Sequence, residues 1–220
     1  DQLFNLAPSI KVGDKVIKEI FRTYNKSYTT GEIIKYSVNV GAVTIALSMG
    51  KKMFWESMKK FGFGEITGIE LPGEERGILH DYENWNAPDI GALAIGQTIS
   101  VTPLQLLRAV CAIANGGYLV TPSIVKEVKL LENVEDDELQ MEQGNRILSS
   151  ETGDALKDMM LAVVEGGTGT RAQIDGVKVC GKTGTAEKAN KNSTGYDEGR
   201  KITSFVGFAP YEDPEIAIII

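Results

Sequence analysis

The apolar pattern of this chain changes its period once, and that change restricts the fold more than any other feature. From about residue 29 to about residue 170, apolar residues recur three and four positions apart between glycine stops, the pattern of helices with one buried face. From about residue 174 to residue 220 apolar residues recur every second position in short runs, broken by the polar stretch 187–201 and by Tyr211-Glu212-Asp213-Pro214, the pattern of strands joined by loops and a turn. Strands alternating with helices would signal a parallel sheet, whereas helices first and a β-meander last signal an α+β chain with an antiparallel sheet. The expectation is one domain over 1–220, mainly helical at about 29–170 and sheet at about 174–220.

Local signals fill in this outline. Gly13-Asp14 between Val12 and Val16 suits a two-residue hairpin turn within 10–17. Thr29 or Thr30 caps a short helix through Lys35, which leads into Ser37-Val38-Asn39 as a loop between helices. Val40, Ala42, Val43, Ile45, Ala46 and Leu47 predict a buried helix closed by Gly50. Phe54, Met58 and Phe61 predict a second one, with Met53, Trp55 and Met58 as core packing rather than cofactor contacts. Residues 65–76, with the Pro72-Gly73 turn, read as a loop, and His80 among Asp81, Tyr82 and Glu83 reads as a surface residue.

Thr102-Pro103-Leu104-Gln105 is a capping box with proline at the first helical position. Its helix presents Leu104, Leu107, Cys111 and Ala114 and stops at Gly116-Gly117. Residues 122–131 suggest a strand, and the acidic run 132–142 a solvated excursion. Ser149 or Ser150 caps a further helix that buries Leu156, Met159, Met160 and Val163 and ends at Gly166-Gly167. A strand starts at Val177 and enters Lys182-Thr183-Gly184; the polar stretch 187–201 interrupts the sheet, 202–209 is the next strand and Ile216 starts a third.

Composition narrows the function classes. A net charge of −7 without any Lys/Arg-rich run argues against a nucleic-acid partner. No apolar run reaches the ~18 residues of a membrane span. Cys111, Cys180 and a single histidine supply neither a disulfide framework nor a zinc site, and no metal or organic cofactor is called for.

Two short motifs carry chemistry. Lys182-Thr183-Gly184 sets a cation, a hydroxyl and a bare backbone on one strand edge, where an anionic ligand can dock. By itself the triplet also fits a solvated edge strand. Ser37-Val38-Asn39 adds a hydroxyl and an amide far upstream. Their order resembles the Ser-x-x-Lys, Ser-x-Asn and Lys-Thr-Gly set of penicillin-binding proteins and serine β-lactamases.

Longer stretches sharpen that resemblance. Phe61-Gly62-Phe63-Gly64, then Thr67-Gly68-Ile69-Glu70-Leu71-Pro72-Gly73-Glu74, and Ala94-Ile95-Gly96-Gln97 before Thr102-Pro103-Leu104-Gln105, are similar to the transpeptidase domain of class B penicillin-binding proteins. So are Gly167-Thr168-Gly169-Thr170-Arg171-Ala172, Gly181-Lys182-Thr183-Gly184-Thr185-Ala186-Glu187 and Phe205-Val206-Gly207-Phe208-Ala209-Pro210. The similarity runs from about residue 10 to residue 220.

The family's Ser-x-x-Lys precedes its Ser-x-Asn, and no such motif stands ahead of Ser37. Ser48-Met49-Gly50-Lys51 and Ser57-Met58-Lys59-Lys60 follow it and read as ordinary helix. With an apolar finish at 216–220 and no initiator methionine, the chain reads as the penicillin-binding transpeptidase fold, a helical subdomain plus antiparallel sheet, truncated at both ends.

The resemblance implies a serine-type D,D-transpeptidase that cross-links peptidoglycan stem peptides and is the target of β-lactams. It implies a proton relay through Ser37, an amide at Asn39 for the substrate or the catalytic lysine, and a positive field from Lys182. Thr183 and Thr185 would bind the donor's carboxylate beside Gly184, and the Thr185 N–H would form half of an oxyanion hole. It further implies an envelope location outside the cytoplasmic membrane through an N-terminal anchor not among these residues, and cell-wall synthesis proteins as partners. Two other readings remain open: a serine β-lactamase or D,D-carboxypeptidase, and a non-catalytic β-lactam-sensing module.

Overall fold

In the computed structural model, residues 2–19, 27–125, 144–189 and 196–220 are described. Two small antiparallel pairs open the chain: β1 (Leu3–Asn5) with β4 (Ser27–Thr29), and β2 (Ser9–Val12) with β3 (Lys15–Lys18). The second pair is the hairpin turned at Gly13-Asp14, with Gly13 at φ 62°.

Helix α1 (Thr30–Tyr36) starts from a complete capping box, in which Thr29 accepts from the Glu32 N–H and Glu32 accepts from the Thr29 N–H. Helices α2 (Asn39–Met49) and α3 (Lys51–Lys60) are separated only by Gly50 at φ 78°. A short helix α4 (Asp89–Ala94) buries Ile90, Gly91, Ala92 and Leu93, and α5 (Pro103–Ala114) starts from the Thr102–Gln105 capping box. Strands β5 (Tyr118–Leu119) and β6 (Asn145–Arg146) pair before α6 (Ser150–Gly166), which Ser149 caps. A three-stranded antiparallel sheet closes the chain in the order β7 (Cys180–Ala189), β8 (Tyr196–Ala209), β9 (Ile216–Ile219).

Three apolar clusters hold these elements. Val43 and Ala46 of α2 pack with Val12, Trp85, Ile90 and Leu93. Val110 of α5 and Met160 of α6 pack with Cys180, Val206 and Phe208 of the sheet, so two helices lie on one sheet face. Leu6, Ile33, Val38 and Val40 form the third, at the joint between α1 and α2. Phe208 is 2% exposed, and truncating such a phenylalanine to alanine costs about 3–5 kcal/mol.

Several expectations need correction. Val177 forms only a bridge to Ile174, and the strand starts at Cys180. The stretch 187–201 does not interrupt the sheet as a whole: Glu187 pairs with Lys201, and β8 starts at Tyr196. Ladder hydrogen bonds need backbone, not apolar side chains, so the hairpin outlasts the apolar alternation. Met53 is 57% exposed rather than core, while Trp55 and Met58 do pack on the first cluster. On α5 the fully buried residues are Gln105, Ala109, Val110 and Ala112; Leu107 and Ala114 of the expected face are partly covered and pack on the second cluster, and Leu104 and Cys111 are partly covered. Residues 122–125 form no strand, and 126–142 lie outside the described residues.

Candidate active site

The candidate site lies where the end of α1 meets β7. Ser37 ends α1 in the left-handed region, at φ 56° and ψ 50°. Its N–H bonds the Ile34 carbonyl at 3.2 Å, and the Val38 N–H bonds the Ile33 carbonyl at 2.9 Å. These two bonds define a Schellman turn, and the Ile33–Val38 contact in the third core cluster is its usual apolar lock. Glycine normally holds this left-handed position; a serine there is held by its surroundings at a cost of about 1–2 kcal/mol. Asn39 belongs to α2 as its first residue, not to a loop, because the turn is complete at Val38.

Opposite this turn, Lys182 projects from β7. Its Nζ donates to Ser37 Oγ at 3.0 Å and to the Thr183 carbonyl at 3.0 Å. Burial pushes its ammonium below the ordinary lysine value of 10.5. Since Ser37 Oγ accepts from Lys182, its own proton is free to point elsewhere. Thr183 Oγ1 donates a 2.8 Å hydrogen bond to Thr168 Oγ1.

Thr168 is a residue that the sequence does not single out as part of the site. Its N–H bonds the Lys35 carbonyl at 3.2 Å, tying the exit of α6 to the last turn of α1. Gly167 permits this approach, since a Cβ there would sit 2.3 Å from the Lys35 oxygen. The available signal was the Gly166-Gly167 pair: one glycine suffices to end a helix, and the second makes room for a neighbouring backbone.

Thr185, two positions beyond Thr183, shares its strand face and is exposed. β7 stands at the edge of the described sheet, so alternate N–H and C=O groups of Lys182-Thr183-Gly184-Thr185 point away from β8. The structure thus brings Ser37, Lys182, Thr183 and Thr168 into one hydrogen-bonded row. Asn39 is two positions from Ser37, and its amide makes no hydrogen bond among the described residues.

The two later Ser-x-x-Lys matches do not resemble a nucleophile. Ser48 donates to the Ile45 carbonyl and Ser57 to the Met53 carbonyl, as helix serines do, and Lys51 donates to the Trp85 carbonyl. A cavity of about 470 Å³ lies elsewhere, between the β8–β9 turn and α5, and contains none of the site residues.

Comparison with known proteins identifies the family and the fold. The family model of the penicillin binding protein transpeptidase domain matches residues 1–220. The penicillin-binding protein PbpB of Mycolicibacterium smegmatis is 32% identical over 99% of this chain and 35% of its own length. Stage V sporulation protein D of Bacillus subtilis is 38% identical over 86% of this chain and 29% of its own length. The chain therefore spans about a third of the curated relatives it matches. Among solved structures, penicillin binding protein 3 of Mycobacterium tuberculosis complexed with ampicillin superposes with a TM-score of 0.90, at 29% identity, over 100% of this chain and 50% of that one.

Proposed function

We propose a function from one premise: this chain belongs to the penicillin-binding protein transpeptidase domain family. The full-length protein is a serine-type D,D-transpeptidase that cross-links peptidoglycan stem peptides and is acylated by β-lactams. The observation that carries this reading is the 3.0 Å bond from Lys182 Nζ to Ser37 Oγ, joining residues 145 positions apart.

The chemistry is acyl transfer through a serine ester. The nucleophile's oxygen bonds to the donor peptide's carbonyl carbon, the carbon–nitrogen bond breaks, and the departing amine gains a proton; an acceptor amine then displaces the serine oxygen. Ser37, whose proton is free because its oxygen accepts from Lys182, relays a proton to the departing amine. Lys182 supplies positive potential in a partly dry site, where a charge acts more strongly than in water. Thr185 donates its hydroxyl to the donor's carboxylate, Thr183 does the same once its proton turns from Thr168 to the substrate, and the outward-facing N–H of Thr185 supports the developing oxyanion. The Asn39 amide, unpartnered among the described residues, binds the substrate's peptide group or the catalytic lysine.

Residues 1–220 hold no Ser-x-x-Lys in the family's order, so this chain alone forms one wall of the cleft and is not acylated by penicillin. The full-length protein acts at the cell envelope, on the outer face of the cytoplasmic membrane, alongside other cell-wall synthesis proteins. Fluorescent penicillin tests the reading: covalent labelling of the full-length protein and not of the isolated chain is the expected result. An unlabelled full-length protein overturns the catalytic reading, and a labelled isolated chain overturns the assignment of the nucleophile. Rapid penicillin hydrolysis by the full-length protein would point instead to a β-lactamase.

A further inference from the structure

We infer that Glu19 is a positioning residue for this site: its carboxylate caps α2 from a distant segment and so fixes the place of Asn39. The inference rests on the transpeptidase reading. The start of α2 poses the problem. Val38 stands at the N-cap, where serine, threonine, aspartate or asparagine normally accept from the first free N–H groups, and valine has no acceptor. No acidic residue occupies the first turn either. Helices α5 and α6, by contrast, have Thr102 and Ser149 in this role.

Glu19 supplies what α2 lacks. Its Oε1 accepts from the Val40 N–H, 21 positions later in the chain. Its own N–H donates to the Pro8 carbonyl at 3.1 Å, which anchors the backbone from which the carboxylate reaches. A negative group at a helix N-terminus is also favoured by the aligned peptide dipoles. The carboxylate is half-buried; burial raises its acid above the ordinary carboxylate value, opposed by the Val40 N–H. A carboxylate kept there despite that cost is held by its partner rather than by solvent.

The link to Asn39 follows from the backbone on either side of it. The Val38 N–H is fixed by the Schellman turn and the Val40 N–H by Glu19, so Asn39 lies between two pinned peptide groups. Its side chain has no hydrogen-bond partner among the described residues, so the direction of its amide depends on where the first turn of α2 stands. Ser37 is secured independently, through its αL turn and Lys182. Loss of Glu19 should displace Asn39 while leaving the Ser37–Lys182 bond in place.

The test uses the full-length protein and the kinetics of acylation by a fluorescent penicillin. Glu19→Ala should lower the acylation rate constant at saturation about tenfold, with less change in the initial binding constant, because small displacements of a positioning group act on the chemical step. Glu19→Gln, whose amide oxygen still accepts from Val40, should recover most of the rate. Thr102→Ala removes a comparable cap from α5, away from the site; it should lower the melting temperature similarly and leave the rate at the parent value. If Glu19→Ala does not fold, Glu19→Asp, which withdraws the carboxylate by one methylene, replaces it and should be slow. A parent rate in Glu19→Ala or Glu19→Asp, or equal slowing by Thr102→Ala, overturns the inference. A parent protein that penicillin never acylates overturns the transpeptidase reading and the inference with it.

Discussion

Two polar clusters in this molecule, both built on helix ends, are put together on opposite principles. At the start of α5, Gln105 is 1% exposed and fully used: Nε2 donates to the Glu65 and Arg76 carbonyls at 2.6 and 2.8 Å, and Oε1 accepts from the Thr102 N–H at 2.9 Å. At the end of α1, Ser37 occupies a backbone region suited to glycine, Lys182 is charged in a partly dry setting, and Asn39 has no side-chain partner among the described residues. The first cluster is polar and satisfied, which is how a buried polar group stabilises a fold. The second keeps strain and unspent hydrogen-bonding capacity, as a binding site does. Substitution should therefore cost stability in the first and function in the second.

The largest separation is expected at Lys182. Lys182→Ala in the full-length protein should slow penicillin acylation by about 10²-fold or more, the scale of losing one electrostatic stabiliser. The same change should not lower the melting temperature. A folded lysine held below its ordinary value destabilises the native state at neutral pH; that penalty is fully present below the lowered value and fades as pH rises to 10.5. Urea titrations between neutral pH and that value should show a rise in parent stability that Lys182→Met lacks. Equal slopes in the two proteins would break the contrast.

Gln105→Leu should do the reverse. It takes their donor from the Glu65 and Arg76 carbonyls and opens the capping box, at about 1–3 kcal/mol in urea unfolding. The acylation rate of the folded fraction should stay within about twofold of the parent, a difference below about 0.5 kcal/mol. A tenfold slower rate would show that the α5 end belongs to the site.

Gly167→Ala tests the seam between the regions. The new methyl group meets the Lys35 carbonyl, so α6's exit must shift and take Thr168 and Thr183 with it. About tenfold slower acylation is expected, with a stability loss of about 1–3 kcal/mol. Ser37→Gly should give a smaller stability effect of opposite sign, a gain of up to about 1 kcal/mol from relief of the αL serine, together with slower acylation.

The smallest effect is chemical. Cys180 is 0% exposed, and burial pushes its thiol up to about 12, so a thiol reagent at neutral pH should modify it only on unfolding, while half-buried Cys111 reacts first. Mass spectrometry of partly labelled protein checks the order.

What was legible in the sequence was local. Thr29 and Thr102 announce their helices because a cap is satisfied within four residues, and Gly13-Asp14 announces a turn for the same reason. The strand ends were not legible, since the partner of Glu187 is Lys201 and neither side chain records the pairing. Helix α4 leaves no clear mark in the sequence because six residues around Gly91 carry too little periodicity, nor does the β1–β4 pair, whose strands are three residues long and more than twenty apart. Of the candidate site, motif and resemblance point to Ser37, Asn39, Lys182, Thr183, Gly184 and Thr185, whereas Thr168, Gly167 and Glu19 come from the structure.

By itself the sequence determined the class of the fold, the order of helices and sheet, the caps that start α1, α5 and α6, and the family motifs, since each of these is written in neighbouring residues. Only the tertiary structure decided that Ser37 is left-handed, that Lys182 reaches it at 3.0 Å, that Thr168 joins Thr183, and that Glu19 caps α2 through a Val40 N–H 21 positions later. The physical reason is range. Capping and amphipathic burial act over a few residues, but the desolvation of Lys182 and the completion of α2 depend on segments that meet only when three separate clusters have packed.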